Sequence, residues 1–143
     1  MKQHLRFLFT LLLAIVYGGA LFGQTTVTQT NFTAISADNL NSDKNISYSC
    51  AKGGGTVAPA VNNGEIRLYQ KSSGNNGGTI TIKIANGYEI NSISIGSSME
   101  TSVAYTIDSE TTLSKSASLA ANEEYSLKDL HATSVTFYCM GTT

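Results

Sequence analysis

The sequence contains no tryptophan, one proline, two cysteines and two histidines, and charged residues make up 13% of its 143 positions, about half the usual quarter. Each shortage excludes something. Two cysteines and two histidines, one of them (His4) in the N-terminal segment, are too few for a zinc site, so no metal is expected. No Gly-x-Ser-x-Gly elbow marks a hydrolase nucleophile. No Asp-x-Asp-x-Asp-Gly loop marks a calcium hand. The glycine clusters Gly53-Gly54-Gly55 and Gly74-Asn75-Asn76-Gly77-Gly78 lack the strand-to-helix context and the Lys-Ser/Thr pair of a phosphate cradle, and they read as turns. No basic run occurs either. Lys44, Lys52, Arg67, Lys71, Lys83, Lys115 and Lys128 stand singly, which gives nucleic acid or anionic lipid no electrostatic footing.

Hydroxyls, amides and glycine take the place of charge: Ser, Thr, Asn and Gly together account for 58 residues, beside 41% apolar residues. Disordered chains pair low hydrophobicity with high net charge, and this chain does neither. A folded, β-rich domain is expected.

Met1 to Gly23 has the three parts of an export leader. Lys2, His4 and Arg6 precede the apolar run Phe7 to Val16, and the small residues Gly18, Gly19 and Ala20 follow. The run is about ten residues long, half of what a bilayer-spanning helix needs. The expected organisation is a signal peptide over 1–23 and one module over 24–143. The mature product would be secreted, periplasmic or held at the cell surface, with no membrane attachment after cleavage. Its net charge would be −3, from seven basic and ten acidic residues.

Within 24–143 the dominant signal has a period of two. Ile46, Tyr48 and Cys50 alternate with serines, and Ile66 and Leu68 alternate with Arg67 and Tyr69. Ile80, Ile82 and Ile84 alternate with Thr79, Thr81 and Lys83. Val103, Tyr105 and Ile107 share a phase, as do Val135, Phe137 and Cys139. Asn86-Gly87 between two β-patterned runs predicts a type I′ hairpin. In the returning run Ile93 and Ile95 keep phase but Ile90 does not, which predicts a bulge near Asn91. Ser109 to Asn122 is expected to be strand and loop. Six to eight short strands with turn signals between them predict a single all-β, antiparallel, jelly-roll-like sandwich. The chain stops at Thr143, shortly after a strong strand, so a missing last strand and further domains of a longer chain are both open.

Tyr48-Ser49-Cys50-Ala51-Lys52-Gly53-Gly54-Gly55, Ala58-Pro59-Ala60, Glu65-Ile66-Arg67-Leu68-Tyr69, the Thr79-Ile80-Thr81-Ile82 segment and the late Val135-Thr136-Phe137 strand resemble secreted β-sandwich modules of Bacteroidetes-type bacteria. The resemblance implies an exported accessory domain of surface proteins or extracellular enzymes. It carries over no catalytic residues. It also implies a further strand after Cys139.

Candidate sites are few. Cys50 and Cys139 sit on the apolar phase of their strands in a chain bound for an oxidising compartment. Two outcomes are open: a disulfide stabilising the fold by roughly 4 kcal/mol in the chain-entropy model, or two buried thiols acting as small hydrophobes. Asp38, Asp43, Asp108 and Glu110 offer oxygens, but without a calcium loop. His131 near Asp129 in a Ser-rich chain is a cheap coincidence, and Glu123-Glu124 reads as a solvated loop. No enzyme and no cofactor are expected. The leading expectation is a non-catalytic surface-binding module for polysaccharide or cell-surface glycan. Arg67, Tyr69 and Tyr88 would be the contacts, and Tyr138 the next candidate, because tyrosine offers both a stacking face and a hydroxyl. The alternative is an interaction domain that pairs through an exposed sheet edge.

Overall fold

A strand that alternates apolar and polar residues hides one face only, so a set of them needs two layers facing each other. The computed structural model meets that need with antiparallel sheets and describes residues 11–17, 25–71 and 76–141. The strands in chain order are β1 (Leu11–Tyr17), β2 (Thr25–Gln29), β3 (Ser36–Ala37), β4 (Ile46–Ala51), β5 (Ala60–Asn62), β6 (Glu65–Arg67), β7 (Thr79–Ile84), β8 (Tyr88–Gly96), β9 (Thr101–Ile107), β10 (Ser114–Leu119), β11 (Glu124–Leu127) and β12 (Ser134–Gly141). One sheet has the order β10-β9-β12-β7-β4-β3 and the other β11-β8-β1-β2, while β5 and β6 form a separate ribbon. The fold is an all-β sandwich. Among the described residues no helix is long and apolar enough to cross a membrane.

The core follows the period of two. Ile46 and Tyr48 of β4, Ile80, Ile82 and Ile84 of β7, and Val135, Phe137 and Cys139 of β12 are buried together with Ile90, Ile93 and Ile95 of β8. The phase slip in β8 resolves as expected: Ala14 pairs with Ser92 and Ile15 with Ile90, which leaves Asn91 as the extra residue of a bulge. All three isoleucines thereby reach the interior.

The turn expected at Asn86-Gly87 is corrected. Only Gly87 has positive φ, at 90°, and the Tyr88 amide donates to the Ala85 carbonyl at 3.2 Å. That is a type II pattern, whose twist splays its flanking strands rather than pairing them. β7 and β8 accordingly lie in different sheets. The type I′ hairpin is at another Asn-Gly pair, Asn63-Gly64, with φ of 52° and 79° and the register Asn62↔Glu65 between β5 and β6. β12 is interior, flanked by β9 and β7. Two core residues lie outside the strands. Phe32 is buried in the connection after β2, and Leu40 is buried in the turn before β4.

The leader run also has a place in the fold. Leu11–Tyr17 forms β1, inside the smaller sheet between β8 and β2. The boundary at Gly23 lies outside the described residues.

Candidate functional site

The side of the larger sheet that faces away from the core collects the polar phase of its strands. Ser49 pairs with Thr81, Thr81 with Thr136, and Thr136 with Thr106, so one row of hydroxyl residues crosses β4, β7, β12 and β9. With strands spaced about 4.8 Å apart, the row extends about 14 Å; Ser49, Thr81 and Thr136 are exposed or half-buried, whereas Thr106 at its β9 end is buried. Ser47, Lys83 and Ser134 form the next row on one side, and Thr79, Tyr138 and Ala104 the next on the other. Thr81 and Thr136 share a hydrogen bond of 2.8 Å between their hydroxyls. A hydroxyl offers one proton and two lone pairs, so this pair retains capacity toward a ligand. The Tyr138 hydroxyl meets the Thr106 hydroxyl at 3.4 Å, which holds the ring across the sheet toward β9. At the other end a polar depression of about 340 Å³ is lined by Ser36, Asp38, Ser47, Ser49, Thr81 and Lys83. The phase of each strand was legible in sequence. The row itself depended on register between strands distant in the chain.

The residues expected to contact a ligand do not come together. The Tyr69 carbonyl accepts from the Gly78 amide at 2.8 Å, just before β7 begins, whereas Tyr88 follows the turn at its far end. A six-residue strand separates them by about 20 Å. Arg67 is half-buried on β6, with its Nε shielded from solvent and without a hydrogen-bond partner among the described residues. Tyr88 packs against the core. Tyr48 is structural: its ring meets Phe32 edge-on at 5.4 Å, its hydroxyl donates to the Ala34 carbonyl at 2.9 Å, and burial, with Cys50 adding to it, raises its pKa. Tyr105 and Tyr125 lie against each other at 6.3 Å, one from each sheet. Tyr138 is the tyrosine positioned on the hydroxyl face.

The disulfide alternative is corrected by the topology. Cys50 is opposite Ile80 on one side of β7, and the Cys139 amide donates to the Gly78 carbonyl on its other side at 2.9 Å. Two strand spacings and a two-residue offset exceed the roughly 7 Å that a bridge can span. Both cysteines are free thiols. Burial pushes each thiol up to about 12; for Cys139, hydrogen bonds from Gly141 and Thr101 offset this in part. Neither is a nucleophile at neutral pH. The expected result with a thiol reagent is no rapid reaction in the folded protein and two equivalents in denaturant without reductant. One that needs reductant first would overturn the assignment.

Asp108, Asp43 and Glu110 serve the backbone. The Asp108 carboxylate accepts from the Thr133 amide at 2.8 Å, the Thr133 hydroxyl at 2.7 Å and the Ser134 amide at 2.8 Å, tying the end of β9 to the start of β12. Desolvation pushes its pKa up, and the hydrogen bonds from Thr133 and Ser134 together outweigh that and bring it below the ordinary range. A carboxyl depressed on folding adds stability above its unfolded pKa, about 3.9, and loses it as pH falls through the folded value. Asp108→Asn keeps a residue tolerant of the φ of 52° while removing the charge. Its urea midpoint is expected to lie below that of the parent at pH 6 and to converge with it below pH ~4. A constant gap would refute this account. Asp43 accepts from the Asn45 amide at 2.8 Å, and Glu110 accepts from the Ile107 amide at 3.2 Å. His131 pairs with Glu89 at 3.0 Å rather than with Asp129, and both partners are exposed. Among the described residues no three His, Cys, Asp or Glu side chains converge. Comparison with protein-family models, curated proteins and solved structures gives no match.

Proposed function

We propose that the chain is an exported, non-catalytic module that binds carbohydrate on the hydroxyl face of its larger sheet. The single observation that carries this reading is the in-register row of accessible hydroxyls Ser49, Thr81 and Thr136, which continues into the buried Thr106 against Tyr138 on one flank and meets the Lys83 and Asp38 depression on the other. Its hydroxyls repeat at the strand spacing, comparable to one pyranose ring of an extended glycan, and each both donates and accepts as sugar hydroxyls do. Tyr138 supplies the apolar ring surface. The leader pattern and the resemblance to secreted Bacteroidetes-type modules support export to the periplasm or the cell surface.

The test is retention on a panel of insoluble polysaccharides and a glycan array. Tyr138→Ala and the double variant Thr81→Val/Thr136→Val are expected to lose retention at least tenfold with unchanged melting, and Tyr69→Ala to retain it. A parent protein that binds no member of either panel sinks the reading, as does undiminished retention by Tyr138→Ala.

A further inference from the structure

The apolar run read as the export leader occupies an interior place in a sheet. β1 runs antiparallel to β8 on one side and to β2 on the other. Leu13 is in register between Val27 and Ile93, Ile15 between Thr25 and Ile90, and Ala14 between Thr26 and Ser92. Val27, Ile90 and Ile93 are buried, and Ser92 is half-buried. Among the described residues β2 has no other strand partner, and β8 pairs with β11 only from Ile93 to Gly96. Processing behind Gly23 would therefore remove a strand with a neighbour on each side. It would leave the edges of β2 and β8 facing each other across two strand spacings, about 9–10 Å.

We propose that in the processed protein this slot accepts an aliphatic β-strand from another polypeptide, entering antiparallel to both β2 and β8. An unpaired strand edge is a template for pairing. Here two edges face one gap, so an incoming strand completes hydrogen bonds on both sides. The seated segment Leu-Leu-Leu-Ala-Ile-Val-Tyr describes the guest: aliphatic residues at the positions level with Ile93 and Ile90, and a small residue level with Ser92. Closure by the chain itself is disfavoured. β2 runs parallel to β8, so direct contact would need a parallel pairing of five residues, and Val27 is its one aliphatic residue. A second copy offers poor guests, since its isoleucine-rich strands β7 and β8 are committed to its own core. The proposal rests on removal of the leader, and on no part of the carbohydrate reading.

The experiment uses the full chain, made without export and with a sequence-specific protease site between Gly23 and Gln24, folded and then cut. The probe is a fluorescent, lysine-flanked peptide of residues 11–17, with a second peptide carrying proline at the Ala14 position, where proline lacks the amide that a ladder needs. The expected result by native mass spectrometry is a one-to-one complex in which the probe displaces the cut leader, with the proline peptide at least tenfold weaker. Amide exchange in β2 and in residues 88–94 should slow on binding. Release of the leader with no probe uptake, while the circular dichroism stays that of a β protein, would falsify the proposal. Dimers of the cut chain that exclude the probe would assign the slot to a second copy and equally overturn it. If cutting unfolds the chain, recovery of the spectrum on adding probe supports the slot, and failure to recover counts against it. The N-terminus of the exported product tests the leader reading separately: a product beginning at Met1 ends that premise, whatever the peptide does.

Discussion

Gly77→Ala is expected to destabilise the protein by about 3 kcal/mol or more, a large share of the stability of a domain this size. Gly77 is buried where the end of β12 passes the segment after β6. A Cβ built there overlaps the Cys139 carbonyl and falls 2.9 Å from the Tyr69 carbonyl oxygen. Neither neighbour can retreat without loss. The next residue, Gly78, donates to the Tyr69 carbonyl at 2.8 Å and accepts from the Cys139 amide at 2.9 Å. The methyl group therefore opens a backbone seam rather than displacing a flexible side chain. Gly87→Ala is the control, because its Cβ meets nothing within 4 Å and the strain comes only from φ of +90°, about 1–2 kcal/mol. Urea unfolding followed by circular dichroism checks both. Equal midpoints for the two variants would show that the close approach at Gly77 is not what the position requires.

The second large effect is expected at Phe32. Phe32→Ala should cost about 3–5 kcal/mol, although the residue belongs to no strand. Its ring is 2% exposed and lies edge-on to Tyr48, and its amide donates to the Gly64 carbonyl at 2.8 Å. One residue thus links the connection after β2 to β4 and to the β5–β6 turn. Phe32→Leu keeps most of the volume and is expected to cost less than about 1.5 kcal/mol. If the alanine variant melts within a few tenths of a kcal/mol of the parent, the connection is held by other contacts.

Phe32 and Leu40 show where local reading stops. Leu40 is a lone apolar residue in a polar turn, and Phe32 lies in a loosely alternating, β-branched stretch whose only apolar neighbour two positions away is the small Ala34, yet both are buried. Asn63-Gly64 and Asn86-Gly87 show the same limit. Asn86-Gly87 sits between β-patterned runs and Asn63-Gly64 closes a stretch that reads as loop, yet only Asn63-Gly64 takes positive φ at both residues, because the chain around Asn86 must carry from one sheet to the other. Local chemistry permits either turn there. Packing of the flanking strands selects one.

The sequence by itself determined the all-β class, the inward phase of β4, β7, β8, β9 and β12, and the bulge at Asn91, because a two-residue period is a property of each strand's own backbone. Only the tertiary structure decided that β7 separates Cys50 from Cys139, that Tyr69 and Tyr88 lie at opposite ends of β7, and that four hydroxyl residues align across four strands. It also decided that the apolar N-terminal run takes a place between β2 and β8. These depend on register and neighbour order among strands far apart in the chain. Burial of the whole set of apolar faces at once fixes that order, and no single segment encodes it.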